Sequence, residues 1–524
     1  MATVTITDFM PGYTFWSNIQ GDDSGSPALI TTRTASSFRF TVATTGDFAG
    51  WKVIVGGSGF TYLPNETDGT LEPTGGLVNS ISIRDAANNV VMTINSFPVG
   101  EKPELVELYY SLFGTSSQVA PDLFNMFTSL LLFNDVINGS NGDDDIAAGR
   151  NHGNDTIFGN AGNDYIKGDA GSDTIDGGSD FDTLSYAETF YDPLAFKGIN
   201  LNVNTGIVQD SWGGTDTFSN FERIEGSRFK DVMIGSDTDR DRFLGLRGAD
   251  VLDGGGANVV GGNGGRDFAI YNQDARYGGD RGIVVNLELS FIGGVVEGTI
   301  RDGFGQTDIV RNIERVVGTM SNDTFNGSFL NNVFEGLSGK DKYDGKDGSD
   351  RVDFYNIDQH GADHGVTVVL TRATNQVVDD GFGFVENMIS IENVGGSVFS
   401  DIIRGSDGIN NYIEGFGGAD LLRGGAGEDG FGYYGNFEFG DQIQDFETGI
   451  DKVYLGIGAI DGLDNVLRFN LGSSATQAGP SFYFNAADRT LYYDRDGSGL
   501  AFGGEAVFTV QVGASVAAGD LILD

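Results

Sequence analysis

Gly159-Asn160-Ala161-Gly162-Asn163-Asp164-Tyr165-Ile166-Lys167 runs directly into Gly168-Asp169-Ala170-Gly171-Ser172-Asp173-Thr174-Ile175-Asp176. The two stretches are one nine-residue unit written twice. A glycine-rich turn leads to an aspartate, and a large apolar residue follows two positions later. Working outward, the same slot holds Asp144, Asp155, Asp164, Asp173 and Asp182, each followed by Ile146, Ile157, Ile166, Ile175 or Leu184. The pattern then returns three times: at Asp231, Asp250 and Asp267 with Asn258 between the last two; at Asp323, Asn332, Asp341 and Asp350; and at Asp401, Asn411, Asp420 and Asp429. A longer period overlies the short one. A strand ending in an aromatic follows Asp182, Asp267, Asp350 and Asp429. The segments Phe221-Glu222-Arg223-Ile224-Glu225-Gly226, Ile313-Glu314-Arg315-Val316-Val317-Gly318 and Ile391-Glu392-Asn393-Val394-Gly395-Gly396 match one another.

The unit is a stacking device. Glycine permits positive φ and a tight turn whose carbonyls face inward. The aspartate projects from the end of the turn, and the apolar residue starts a very short strand facing the interior. Two units make one coil, so equivalent turns lie eighteen residues apart on one edge. This predicts the stacked pairs Asp155 with Asp173, Asp164 with Asp182, Asp323 with Asp341, Asn332 with Asp350, and Asn411 with Asp429. Repeats of this period and composition build calcium-binding parallel β-helices. Carboxylates with turn carbonyls such as those of Gly159, Ala161, Gly168, Ala170 and Gly177 form an all-oxygen donor set that suits Ca²⁺. One ion per turn pair gives on the order of ten ions. Strands with one apolar residue each bury too little to offset chain entropy, and stacked carboxylates repel, so folding is expected to be coupled to calcium.

Composition agrees. Glycine makes up 82 of 524 residues, roughly twice the usual share. Asp and Glu total 75 against 31 Lys and Arg, a formal charge of −44 that argues against nucleic acid or an anionic membrane as partner. At 39% hydrophobic the chain can still bury a core. There is no cysteine, which excludes disulfides and thiol chemistry. No apolar run is long enough to span a membrane. The first residues, Met1-Ala2-Thr3-Val4-Thr5-Ile6-Thr7, alternate like a strand rather than reading as a cleaved leader.

The expected fold is all-β. Residues 1–100 read as a small β domain, with strands near Ser37–Val42 and Trp51–Val55. Residues 101–134 read as a helical connector, opening with Pro103 and carrying an apolar stripe from Leu123 to Leu131. A parallel β-roll over 135–433 follows, in four blocks (135–187, 226–271, 318–354, 396–433) whose strand-rich inserts are expected to continue or flank the roll. Residues 434–524 read as a β cap ending in an export signal.

The array resembles the RTX (repeats-in-toxin) calcium-binding proteins. Gly440-Asp441-Gln442-Ile443-Gln444-Asp445-Phe446, the hairpin Leu491-Tyr492-Tyr493-Asp494-Arg495-Asp496-Gly497 and the ending Asp520-Leu521-Ile522-Leu523-Asp524 look like the segments that follow such rolls in serralysin-type proteins. The resemblance implies export by a type I secretion apparatus of a Gram-negative cell, unfolded in low calcium and folding outside. It implies no particular activity.

Catalytic signatures are sparse. The zincin His-Glu-x-x-His and the Gly-x-Ser-x-Gly elbow do not occur in the sequence. His360-Gly361-Ala362-Asp363-His364 spaces two histidines by four but lies in a glycine-rich insert, and His152 falls in a widened turn. Asp494-x-Asp496-x-Ser498-Gly499 followed by Glu505 has EF-hand spacing, but its flanks read as strands and Asp496-Gly497 suits a hairpin. The expectation is therefore a secreted, non-enzymatic structural protein of the cell surface or extracellular matrix: surface-layer, biofilm-matrix or adhesin. It would self-assemble through calcium and contact cell-surface polysaccharide through its N-terminal domain. The rival is a polysaccharide-active enzyme, with its site in the N-terminal domain or the inserts, recognisable by a cleft of convergent carboxylates and aromatics.

Overall fold

The computed structural model describes residues 134–524 apart from 135, 140, 148–152, 237–239, 257–266, 293–294 and 500–502, and, before them, the backbones of six strands between residues 3 and 95. The helical connector, His152 and Asn258 lie outside the described residues. Every regular element described is a strand or a short 3₁₀ turn. The chain divides into two compact units, 1–251 and 252–524, a division that falls inside the second expected block.

In the first unit the six early strands form an antiparallel sheet. Its order runs Leu29–Thr34, Ser37–Thr41, Lys52–Pro64, Leu71–Arg84, Val90–Asn95 and Thr3–Ile6. Thr3–Ile6 also pairs in parallel with Val136–Asn138, so this sheet is hydrogen-bonded to the start of the roll. The roll then alternates between two parallel ladders. Val136–Asn138, Thr156–Ala161 and Thr174–Ser179 stack on one side. Asp145–Ala147, Tyr165–Lys167, Thr183–Ser185 and Arg223–Glu225 stack on the other. Register is fixed by burial, because a strand of three residues has one inward position. That position holds Ile137, Ile157 and Ile175 on one ladder and Ile146, Ile166, Leu184 and Ile224 on the other, all buried.

The second unit is built alike. One parallel ladder runs Phe268–Ile270, Arg315–Val317, Val333–Glu335, Arg351–Asp353, Asn393–Ser397, Tyr412–Phe416, Gly430–Tyr433, Lys452–Leu455 and Leu521–Leu523. Its inward residues Val316, Phe334, Val352, Val394, Ile413, Phe431 and Val453 are buried to the last few per cent. Phe325 of the facing ladder stacks on Tyr343 at 5.1 Å.

The inserts continue the roll. Asn200–Asn202, Ile207–Gln209 and Thr215–Ser219 form an antiparallel excursion. Its last strand pairs in parallel with Thr174–Ser179, and its first with Val232–Ile234. The excursion through Val284–Ile292, Val295–Arg301 and Thr307–Arg311 repeats this plan, and so does that from Thr367–Val369 to Asn387–Ile389.

Candidate metal centre

Each aspartate of the repeat sits at a roll edge, directly before a strand of three to six residues, and its side chain reaches along the stack. Asp173 Oδ1 accepts the backbone N–H of Asp155 at 2.7 Å, and Asp182 Oδ1 that of Asp164 at 2.8 Å. The same bond joins Asp341 to Asp323, Asp350 to Asn332, and Asp429 to Asn411. All five expected pairs are therefore brought together, each by one carboxylate oxygen on the preceding coil's amide. Asp164 likewise accepts from Asp144, Asp250 from Asp231 and Asp420 from Asp401.

The second oxygen distinguishes a stack from a site. At Asp164, Asp173, Asp182, Asp350, Asp420 and Asp429, Oδ2 is buried and has no hydrogen-bond partner in the protein. A buried carboxylate oxygen without a partner is costly, and such groups call for a counter-charge. Protons show the cost. Burial first of all lifts Asp164 and Asp350 to about 7 and Asp182 and Asp429 to about 6. Asp173 and Asp420 rise to about 9, with Asp216 and Asp441 adding like-charge repulsion after burial.

The neighbouring backbone supplies further oxygens. A Cβ placed on Gly159 would collide with the Gly177 carbonyl oxygen and with Asp164 Oδ2. One on Gly139 would strike the Gly159 carbonyl, and one on Gly345 the Ser390 carbonyl and Asp350 Oδ2. Glycine here keeps a small chamber open between a carbonyl of one coil and a carboxylate of the next. Gly178, at φ +112°, would likewise drive a Cβ into the Asn160 backbone. Among the described residues no three His, Asp or Glu side chains converge as a metal site. Ions at this edge must therefore be held by backbone carbonyls plus one or two carboxylates, the hard-oxygen donor set of Ca²⁺. The residues fit that ion, which supplies the positive charge that the unpartnered oxygens lack. Of the other expected carbonyl donors, Gly168 packs against Ile175, Ala161 lies in the ladder opposite Ser179, and Ala170 is buried.

The remaining expected residues have other partners. Asp267 offers its N–H to Glu314 at 3.3 Å. Asp341 Oδ2 accepts the Tyr343 hydroxyl at 3.4 Å, and burial with the Glu386 charge pushes this carboxyl up to about 11. Asp231, Asp323 and Asp401, with Asn332 and Asn411, accept from a serine or threonine earlier in their own turn.

Sequence reasoning missed the acids that close the array at each insert. Asp216 and Glu386 take the slot that a next nonapeptide would fill, accepting the N–H of Asp173 and Asp341. Glu222 and Glu392 do the same for Asp182 and Asp350 on the other edge. Beyond the array, Asp441 and Asp451 accept from Asp420 and Asp429. The signal was present: the matched Phe/Ile-Glu-Arg/Asn segments carry the glutamates, and Asp210–Asp216, Asp302–Asp308 and Asp380–Glu386 share one seven-residue loop pattern. The aromatic that ends each block explains itself here. The hydroxyls of Tyr186, Tyr271 and Tyr433 donate to Asp216, Asp308 and Asp441 at 2.9–3.0 Å. At the block where the aromatic is Phe354, Glu386 keeps an unpartnered oxygen.

The two described histidines form no centre. His364 is exposed and bonds Asp363 and Asp379, which raise its pKa, while burial lowers that of His360. Asp494 ends the strand Thr490–Asp494, antiparallel to Ser481–Asn485 and Glu505–Val510, so the EF-hand-like spacing lies between strands.

The sequence matches the family model of the RTX calcium-binding nonapeptide repeat at residues 132–152, 151–184, 236–269, 317–352 and 395–431. No curated protein matches the chain. Among solved structures, the extracellular lipase LipA from Serratia marcescens aligns at 11% identity over 91% of this chain and 81% of that one, with a TM-score of 0.21. A likeness so distant carries no statement about activity.

Proposed function

We propose that this chain, a secreted carrier of RTX calcium-binding nonapeptide repeats in a parallel β-roll, is a structural protein of the cell surface or extracellular matrix that folds and assembles on calcium after type I export. The observation that carries this reading is the row of buried, unpartnered carboxylate oxygens along the roll edges. Calcium is what the architecture is built around, and the array occupies most of the described chain. The fraction of the sequence given to turn and stack, rather than to a cleft with poised acid and base, supports a scaffold. Surface-layer, matrix and adhesin roles share this requirement, with self-contact through further calcium and contact of the N-terminal domain with cell-surface polysaccharide. The test is sedimentation and electron microscopy of the full chain in EGTA and in millimolar calcium. Calcium-dependent sheets, filaments or large particles support the proposal; a compact monomer at all concentrations rejects it.

One observation favours saccharide contact on the roll itself. The outer face of the second unit's long ladder carries an open cleft of about 590 Å³ whose lining includes Arg315, Arg351, Asp353, Glu414, Asp524 and the ring of Tyr412. Aromatic faces beside fixed polar groups suit a sugar. The carboxylates are poorly placed for hydrolysis, however. Glu414 and Asp353 are both ion-paired with Arg351, so neither is free to hand a proton to a glycosidic oxygen. The cleft supports saccharide binding over cleavage. Its net negative lining favours a neutral sugar, and titration with neutral and acidic oligosaccharides distinguishes the two.

A further inference from the structure

The repeat pattern puts one acid or amide in every edge slot, but the slots are of two kinds. In the first, typified by Gly168-Asp169-Ala170-Gly171-Ser172-Asp173 and Gly424-Gly425-Ala426-Gly427-Glu428-Asp429, the turn is glycine-rich and Oδ2 has no partner. In the second, the glycine is followed by serine or threonine and the turn's central glycine is replaced or displaced. Three such turns are Gly226-Ser227-Arg228-Phe229-Lys230-Asp231, Gly318-Thr319-Met320-Ser321-Asn322-Asp323 and Gly396-Ser397-Val398-Phe399-Ser400-Asp401.

Here the carboxylate is fully engaged by protein. The backbone N–H of Ser227, Thr319 or Ser397 donates to Oδ2 at 2.6–2.7 Å. Their hydroxyls donate to Oδ1 at 2.6, 3.0 and 2.8 Å. A third donor arrives from the insert, one residue before its first strand: the N–H of Ile199, Ile283 or Val366, at 2.6–2.7 Å, again on Oδ1. The oxygen that faces a vacant direction in the first kind of slot faces a positive N–H hydrogen in the second. A cation gains nothing there without breaking charge-assisted hydrogen bonds. The two amide slots follow suit: Asn332 Oδ1 accepts from Ser328 N–H, and Asn411 Oδ1 from Ser406 N–H, both at 2.7 Å.

We propose that Asp231, Asp323 and Asp401, with Asn332 and Asn411, are metal-free clamps rather than calcium ligands, and that the array therefore alternates calcium-independent joints with calcium-binding turns. The three aspartate clamps stand where the chain re-enters the roll after each insert, immediately past the Phe221–Gly226, Ile313–Gly318 and Ile391–Gly396 segments. Each clamp ties insert strand, turn and roll edge together through one carboxylate. It fixes the register from which the downstream calcium turns stack. This inference rests on calcium binding by the glycine turns, and the test separates the two.

Calcium stoichiometry is measured by equilibrium dialysis and atomic emission on the full chain and two triple variants. Asp231→Asn/Asp323→Asn/Asp401→Asn is built on substitutions that the clamps at Asn332 and Asn411 already accommodate. It is expected to bind the same number of ions as the parent chain. Asp173→Asn/Asp350→Asn/Asp429→Asn is expected to lose on the order of one ion per substitution. Equal losses in both overturn the clamp assignment; no calcium bound by the parent chain overturns the underlying ligand assignment instead. Should the clamp variant fail to fold, anomalous difference density from calcium-grown crystals of the parent chain decides. Peaks beside Asp173, Asp350 and Asp429 with none at Asp231, Asp323 or Asp401 support the proposal, and a peak within coordination distance of any of these three overturns it.

Discussion

At the scale of the residue, one aspartate has two tasks. One oxygen holds the preceding coil's amide, and the other faces the ion. An asparagine carbonyl can accept an amide as well as a carboxylate can, as Asn332 does from Ser328 in its own turn; the second task needs charge. Asp173→Asn is accordingly expected to keep the fold in calcium yet bind about one ion fewer, with a higher calcium midpoint in a titration followed by circular dichroism. The buried tyrosine hydroxyls make a separate contribution. Tyr186 donates to Asp216 across the interior. Tyr186→Phe leaves that carboxylate short of a donor and should cost about 1–3 kcal/mol in denaturant unfolding at saturating calcium. An unchanged midpoint would show that the bond contributes nothing. Neither partner of the pair was legible as such. Asp216 is 30 residues from Tyr186, inside an insert whose loop carries no nonapeptide.

At the scale of the element, three-residue strands carry almost no information of their own, and the turns between them set the geometry. Gly178 illustrates this: its φ is +112°, and a Cβ would meet the Asn160 backbone of the preceding coil. Gly178→Ala should therefore destabilise the calcium-bound roll by about 1–3 kcal/mol, through backbone strain and steric conflict together. A neutral result in thermal unfolding would mean that the stack can spread locally. The inserts teach the converse lesson. Their hydrophobic runs at 283–287 and 366–370 fall on the strands Val284–Ile292 and Thr367–Val369. Pairing the ends of each excursion with strands of the roll was a matter of register, which local pattern does not specify.

At the scale of the whole molecule, charge governs. With a formal charge of −44, and edge carboxylates whose folded pKa values lie near 6 to 9 against an unfolded value near 3.8, the calcium-free roll binds protons more readily than the unfolded chain does. For acids raised in this way, the stabilisation is fully present below the unfolded value and is lost as pH climbs through the folded one. In EGTA the chain should thus show more β structure at about pH 5 than at about pH 8, while calcium reverses the order by replacing protons with ions. Greater order at the higher pH in EGTA would refute this account. The sequence by itself determined the period, the inward residues, the edge aspartates and the ion, because each follows from a nine-residue unit that stacks on copies of itself. Only the tertiary structure decided which edge slots have an oxygen to spare. Oδ2 is taken where the turn folds the amide of a serine or threonine four residues earlier onto it, and Oδ1 where an insert brings an amide from 32 to 40 residues away, beyond any nine-residue window.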